Sequence, residues 1–239
     1  MHLFYIRHGQ SANNALYDVT GNDEGRVMDP ELSQVGVEQA ARVAESLRCG
    51  QPLLRANGTG AVGFGVTHLY TSLMVRSAHT GQMIARALGL PLLGWTDLHE
   101  CGGIFLEDKA TREFTGYPGG TRAEMCVRFP ELVWPDDARQ DGWWNRPFEL
   151  NADREARARR VLDELLRRHG GSDDRVAFIA HGGFFYRFMC TVLKLPQDPQ
   201  EVWFHMYNTA ITCLEFTHNR GASVRYLNRT DHLPHDLIT

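Results

Sequence analysis

Two short runs set the limits on what this chain can become. Residues 2–6, HLFYI, and 176–180, VAFIA, place apolar side chains on consecutive positions. A strand with one wet face alternates polar and apolar residues, whereas a run without alternation reads as a strand buried on both faces. Both runs stop abruptly, the first at Arg7-His8-Gly9 and the second at His181-Gly182-Gly183. Between and after them the spacing turns helical. Val37, Ala40, Ala41, Ala44 and Leu47 follow the candidate cap Ser33, and Met74, Val75, Ala78, Ala85 and Leu88 lie between the candidate cap Ser72 and Gly89. A third helix, NADREARARRVLDELLRRHG, opens acidic and closes basic, with Val161, Leu162, Leu165 and Leu166 as its buried stripe. Strands alternating with helices predict an α/β sheet covered on both faces.

The remaining stretches are irregular. Residues from Gln10 to about Pro30, rich in Asn, Asp and Gly, read as one long loop. A G-x-G-x-x-G at Gly58, Gly60 and Gly63 precedes a β-prone run instead of opening a helix, so it reads as a loop and not as a nucleotide fingerprint. From Trp95 to Trp144, Gly, Pro and Trp interrupt short helical fragments. We read one domain over 1–239, with a lid-like insertion at about 101–150. AITCLEF and SVRYLN read as late strands.

Composition narrows the function classes. The 239 residues suffice for one sizeable core, and the net charge of -4 gives no support for nucleic-acid binding. Five cysteines, odd in number and without a C-x-x-C pair, argue against a disulfide framework and a structural metal, and favour a reducing cytoplasm. The opening MHLFYIRHG turns polar too soon for a signal peptide, and no apolar run reaches membrane-spanning length. No membrane partner, metal or cofactor is expected.

The chemistry gathers at strand ends. His8, Arg76 and His181 each lie at or just beyond the C-terminal end of a predicted strand, the edge where open α/β sheets bind ligands. Histidines and arginines converging there, with free helix-start N–H groups, suit a phosphate. A neutral imidazole can attack phosphorus and form a phosphohistidine that water then hydrolyses. Such a site needs an acid for the leaving group and a base for the water, and Glu100 in DLHECGG is the candidate. Each residue alone has a plain reading: a strand-end histidine, a solvated helix arginine, a surface carboxylate.

Taken together, the segments resemble the histidine phosphatase superfamily, the phosphoglycerate mutase-like fold. RHGQSANN resembles its opening signature, LYTSLMVRSAHT its second motif, LHECGG its acid segment and AFIAHGG its closing element, in the family's order and across nearly the whole chain. The resemblance implies a three-layer α/β/α sandwich with a mostly parallel central sheet. It implies His8 as the phosphorylated nucleophile, Arg7 and Arg76 as phosphate clamps, His181 as the second phosphoryl-binding histidine and Glu100 as the proton donor. It also implies Gln10 and Ser11 in the pocket-lining loop, Asn14 reaching the phosphate, and Gly182 offering a backbone donor. Asn13, one place early, falls outside the match.

The expected activity is hydrolysis of a phosphomonoester on a small phosphorylated metabolite. A phosphoglycerate mutase-type transfer and a non-catalytic phospho-ligand binder are the alternatives. The indoles of GWWNR are expected to offer a contact surface for a larger leaving group, which favours the phosphatase. Oligomeric state is not legible in the sequence.

Overall fold

The structure is a computed structural model that describes residues 1–51, 63–197, 203–217 and 221–239. In chain order the elements are β1 (His2–Arg7), α1 (Ala12–Thr20), α2 (Gln34–Cys49), β2 (His68–Thr71), α3 (Val75–Leu88), β3 (Leu92–Gly94), β4 (Phe105–Glu107), β5 (Phe114–Gly116), α4 (Arg122–Arg128), β6 (Leu132–Val133), α5 (Asn151–His169), β7 (Arg175–Ala180), α6 (Gly182–Leu193), β8 (Ile211–Thr217) and β9 (Gly221–Arg229). Seven strands form one sheet in the order β6-β3-β2-β7-β1-β8-β9. The first five run parallel, β8 pairs antiparallel with β1, and β9 pairs antiparallel with β8. The expected mostly parallel sandwich is what the chain forms.

The unalternated runs explain the layering. On β1, Phe4 and Ile6 join the core beneath α2 and α3, while Leu3 and Tyr5 join the core beneath α5 and α6. On β7, Ala177 and Ile179 face the first core, and Val176, Phe178 and Ala180 face the second. Every position is buried because helices cover both faces. The β1–β7 register pairs Arg7 with Ala180, so His8 and His181 leave adjacent parallel strands at the same level. β2 pairs Thr71 with Ile179 and delivers the start of α3 to the same edge.

Several local expectations change. The stretch from Gln10 to Pro30 contains α1, which Ser11 caps by accepting from the Asn14 N–H while the Asn14 side chain accepts from the Ser11 N–H. Its apolar residues Ala12, Ala15, Leu16 and Val19 do fall at helical spacing, but the run is short, none of it is buried, and the surrounding Asn, Asp and Gly mask it. α3 begins at Val75 and not at Ser72. The Ser72 hydroxyl accepts the Met74 N–H, and the Val75 N–H goes to the Asp29 carboxylate from a distant loop. On α5, Val161 and Leu165 are buried, but Leu166 is exposed, one step too far round the helix. Gly58 and Gly60 lie outside the described residues.

The segment at 101–150 is tied to the body. β6 extends the main sheet, and Met125, Phe129, Trp143 and Trp144 sit in the α2/α3 core. Trp143 and Trp144 are 2% and 3% exposed, which corrects the expectation that their rings offer a substrate surface. Trp144 lies against Gly103, where any Cβ would come within 2.0 Å of the indole. β4 and β5 form a separate hairpin. No helix among the described residues is long and apolar enough to cross a membrane.

Candidate active site

The C-terminal edge of the sheet opens into a cavity of about 290 Å³ lined in part by Arg7, His8, Ser11, Asn14, Arg76 and Glu100. His8 is its centre. The Nδ1–H of His8 donates to the Gly9 carbonyl at 2.6 Å, and Nε2 accepts from Arg76 Nε at 3.1 Å. These two partners fix one tautomer, with the lone pair on Nε2. Burial above all, then Arg76 and Arg7, holds the His8 pKa well below the usual histidine value. The ring is therefore a neutral base at neutral pH.

The backbone under His8 is secured from three directions. Asn208 Nδ2 donates to the His8 carbonyl at 2.9 Å, the Thr209 N–H reaches the Arg7 carbonyl at 3.0 Å, and the Gly9 N–H reaches Thr80 Oγ1 at 3.1 Å. Gly9 and Gly36 meet here. A Cβ on Gly9 would lie 2.4 Å from the Gly36 carbonyl, so the loop and the first turn of α2 touch through bare backbone.

Arg76 spans two partners. Beyond His8 it pairs with Asp29 at 3.5 Å, and Asp29 also accepts the Val75 N–H at 3.1 Å. Burial outweighs that cation and pushes the Asp29 carboxyl up to about 7. Arg7 donates through Nη1 to the Met206 carbonyl at 2.6 Å, while its buried Nε has no acceptor. That guanidinium lies over Gly182, where a Cβ would sit 3.6 Å from Nε.

His181 stands beside His8 with ring centroids 5.1 Å apart. It is wholly buried, and neither ring nitrogen has a partner. Burial first, then Arg76 and His8, lowers its pKa well below the usual value. The Glu100 carboxylate receives three backbone N–H groups, from Cys101 at 2.7 Å, Gly183 at 3.0 Å and Phe184 at 2.8 Å. It thus caps α6 while lining the cavity. Behind it, the His99 Nδ1–H donates to the Glu100 carbonyl at 2.8 Å, and Arg157 donates to the His99 carbonyl at 2.9 Å. Arg157 also holds Glu149 at 2.6 and 2.8 Å.

One expected site residue lies elsewhere, and one residue set aside lines the cavity. Gln10 faces away from the cavity, donating to Asp18 at 2.9 Å and accepting from Ser33 at 2.6 Å, because the strand-end turn directs it under α2. Asn13 lines the cavity along with Asn14, exchanging hydrogen bonds with Val27 at 2.8 and 3.0 Å. Reasoning from sequence missed Asp29, Tyr17, Arg26 and Phe105. The last three line the mouth. A second titratable cluster, His68, His169 and Asp174, sits at the opposite, N-terminal edge of β2 and β7. It shares no residue with the cavity, and His169 already binds Asp174 at 2.9 Å and Tyr70 at 3.0 Å.

With this geometry in view, comparison with known proteins is informative. Residues 3–229 match the sequence model of the Histidine phosphatase superfamily (branch 1). The chain is 30% identical over 203 residues to a glucosyl-3-phosphoglycerate phosphatase of Mycolicibacterium vanbaalenii, covering 82% of this chain and 76% of that one. It is 26% identical over 201 residues to a probable phosphoglycerate mutase of Yersinia enterocolitica, with 82% and 76% coverage. The fold is shared with a mycobacterial glucosyl-3-phosphoglycerate phosphatase solved with VO3, at a TM-score of 0.61, 24% identity and coverage of 96% and 99%. It is likewise shared with a phosphoserine phosphatase of Entamoeba histolytica, at a TM-score of 0.59, 20% identity and coverage of 98% and 99%.

Proposed function

The chain belongs to the histidine phosphatase superfamily, and we propose that it is a phosphatase of the phosphohistidine type acting on small phosphorylated metabolites, with His8 carrying the phosphoryl group. The observation that supports this most directly is the His8 tautomer, with Nδ1–H held by the Gly9 carbonyl and the lone pair on Nε2, where Arg76 Nε now donates. In the proposed step, the Nε2 lone pair attacks phosphorus while the bond to the leaving oxygen breaks. A phosphate oxygen takes over the Arg76 N–H as phosphorus reaches that lone pair. Arg7, Arg76 and the unpartnered nitrogens of His181 spread the charge that builds on the equatorial oxygens. Ser11, Asn14 and the Gly182 N–H complete the phosphate cradle.

Glu100 gives its proton to the leaving oxygen. It then takes a proton from the water that attacks the phosphohistidine, the P–N bond breaks, and inorganic phosphate and neutral His8 are restored. Three backbone donors fix the direction of its carboxylate for both steps. Hydrolysis is favoured over mutase transfer by the higher identity to the mycobacterial phosphatase, and not by Trp143 and Trp144, which belong to the core. We assign 1–239 to one domain in which 101–150 is a lid-like insertion, since Cys101, Gly103 and Phe105 border the cavity. An odd set of five free thiols supports the cytoplasm as the setting.

The test is a rapid alkaline quench of turnover followed by peptide mapping. A phosphoryl group on the His8 peptide, labile in acid and stable in base, is expected, with none in His8→Ala. Label on Ser11 or His181, or undiminished hydrolysis by His8→Ala, overturns the assignment.

A further inference from the structure

A cluster of metal-binding side chains lies at the edge of the sheet opposite the cavity. His68 opens β2, His169 closes α5, and Asp174 stands in the turn that leads into β7. Their three donor atoms all lie within 4.8 Å of one another. The His169 Nδ1–H donates to one oxygen of Asp174 at 2.9 Å, and His68 Nδ1 is 3.9 Å from the other. The two imidazole rings are 4.5 Å apart, centroid to centroid. Among the described residues, no arginine or lysine pairs with the Asp174 carboxylate. Arg175 beside it donates to the Phe64 carbonyl at 2.8 Å, and Arg168 donates to Glu164 at 2.7 Å.

The backbone beneath these groups is fixed. The Ser172 hydroxyl donates to the His169 carbonyl at 2.8 Å and accepts the Asp174 N–H at 3.1 Å, which closes the turn between the two ligands. The Asp174 carbonyl accepts the His2 N–H at 2.9 Å, and β2 pairs His68 with Val176 of β7. Four-coordinate zinc with bonds of about 2.0–2.2 Å spaces its ligand atoms about 3.3–3.6 Å apart. The separations of 2.9 and 3.9 Å straddle that range, so small turns of the side chains reach it. An ion takes the place of the Nδ1 proton of His169. That proton moves to Nε2, 3.0 Å from the Tyr70 hydroxyl oxygen, which can accept it. A partner of this kind on the second ring nitrogen orients a metal-bound histidine. His68 Nδ1 faces the Thr67 hydroxyl at 2.9 Å, and that hydroxyl has the Arg175 carbonyl at 3.3 Å as another acceptor. The side chains of His68 and Asp174 are 38% and 28% exposed, so an ion can enter from solvent.

Two imidazoles and one carboxylate suit zinc and its neighbours, whereas magnesium and calcium prefer shells made of oxygen alone. We propose that His68, His169 and Asp174 bind one divalent late transition-metal ion of the zinc class, with water in the fourth position. The ion clasps the start of β2, the end of α5 and the entry to β7. It takes no part in phosphoryl transfer, since none of its ligands lines the cavity, and the proposal stands apart from the phosphatase reading. Cysteine spacing, on which the expected absence of a metal rested, could not reveal the site, because its ligands come from distant parts of the chain.

The test titrates zinc chloride, and magnesium chloride for comparison, into the full chain after chelator treatment and dialysis, with calorimetry as the readout. Wild type should bind Zn²⁺ in preference to Mg²⁺, and Zn²⁺ should raise its Tm. His68→Ala should weaken Zn²⁺ binding by about tenfold or more, at least the cost of losing an outer-shell partner, and should abolish the rise in Tm. Its ring is partly exposed, so the far-UV circular dichroism of His68→Ala should match wild type. Asp174→Asn, which keeps the shape of the side chain, should weaken binding to a similar extent. His8→Ala should bind Zn²⁺ as wild type does, which separates this site from the cavity. Absence of Zn²⁺ binding in wild type, Mg²⁺ bound as tightly as Zn²⁺, binding unaltered in His68→Ala, or binding lost in His8→Ala overturns the proposal.

Discussion

Replacing Gly36 by alanine sets two effects against each other. Gly36 is in the first turn of α2, and helix propensity alone favours alanine there by about 1 kcal/mol. Packing opposes it. A Cβ at Gly36 would sit 2.0 Å from the Gln10 carbonyl oxygen and 2.9 Å from that residue's carbonyl carbon and nitrogen. Ordinary contact begins at 3.4 Å, so helix and loop must part by about 1.4 Å. The obstacle is backbone and cannot swing aside. Gln10 is tied as well, its N–H to Gln39 at 2.7 Å and its carbonyl to the Ser33 N–H at 2.8 Å. Forced overpacking costs about 1–3 kcal/mol and often more against backbone, so the clash wins. We expect a loss of about 1–2 kcal/mol, or about 2–4 °C in Tm for each kcal/mol in a chain of this size. The larger effect is on turnover, because Gln10 is two residues from His8. A displacement of about 1 Å at a reacting group costs on the order of a hundredfold. Thermal unfolding and kcat for nitrophenyl phosphate read the two quantities. A Gly36→Ala protein with raised Tm and wild-type kcat would refute the reasoning.

Two further outcomes follow from the site. His8, His99 and His181 all have pKa values held well below the usual value, with burial the main cause. The unfolded chain then binds protons that the folded one refuses, so this stability is complete above about pH 6.5 and is lost as pH falls below it. Asp29, raised to about 7, acts in the opposite sense, stabilising at low pH and losing that contribution as pH rises through 7. Urea denaturation at pH 7.5, 6.5 and 5.5 should show declining stability, and a steeper decline in Asp29→Asn; a flat profile contradicts the burial argument. Glu100→Gln should slow alkyl phosphates more than nitrophenyl phosphate, whose leaving group needs no proton. Equal losses on both would move the general acid elsewhere.

What the sequence could reveal was set by period and by motif. LFYI and VAFIA have no wet face, so their burial and the sheet around them were legible. That Arg7 pairs with Ala180, and so brings His8 beside His181, depends on a register between segments far apart in the chain, which no local pattern encodes. The family resemblance supplied that convergence. α1 escaped because its apolar period, Ala12, Ala15, Leu16 and Val19, is short, exposed and set among Asn, Asp and Gly, with Ser11 and Asn14 securing its start. Asp29 and Arg26 escaped for a related reason: in a loop of mixed charge, a buried carboxylate and an unpaired guanidinium look like solvated neighbours. Trp143 and Trp144 misled because Gly103 and Gly119 make the space for them, and a glycine does not announce what will fill it.

The floor and the mouth of the cavity separate chemistry from traffic. The floor is bound by buried hydrogen bonds to His8, Glu100 and Arg76, which dissolved salt scarcely reaches. Across the mouth, loop and hairpin are joined by the exposed Asp23–Lys109 pair and by Arg26 resting on Phe105. Exposed pairs of this kind are screened at ordinary ionic strength and hold their partners weakly. Raising the ionic strength is therefore expected to change how fast ligands come and go more than it changes the bond-making step inside.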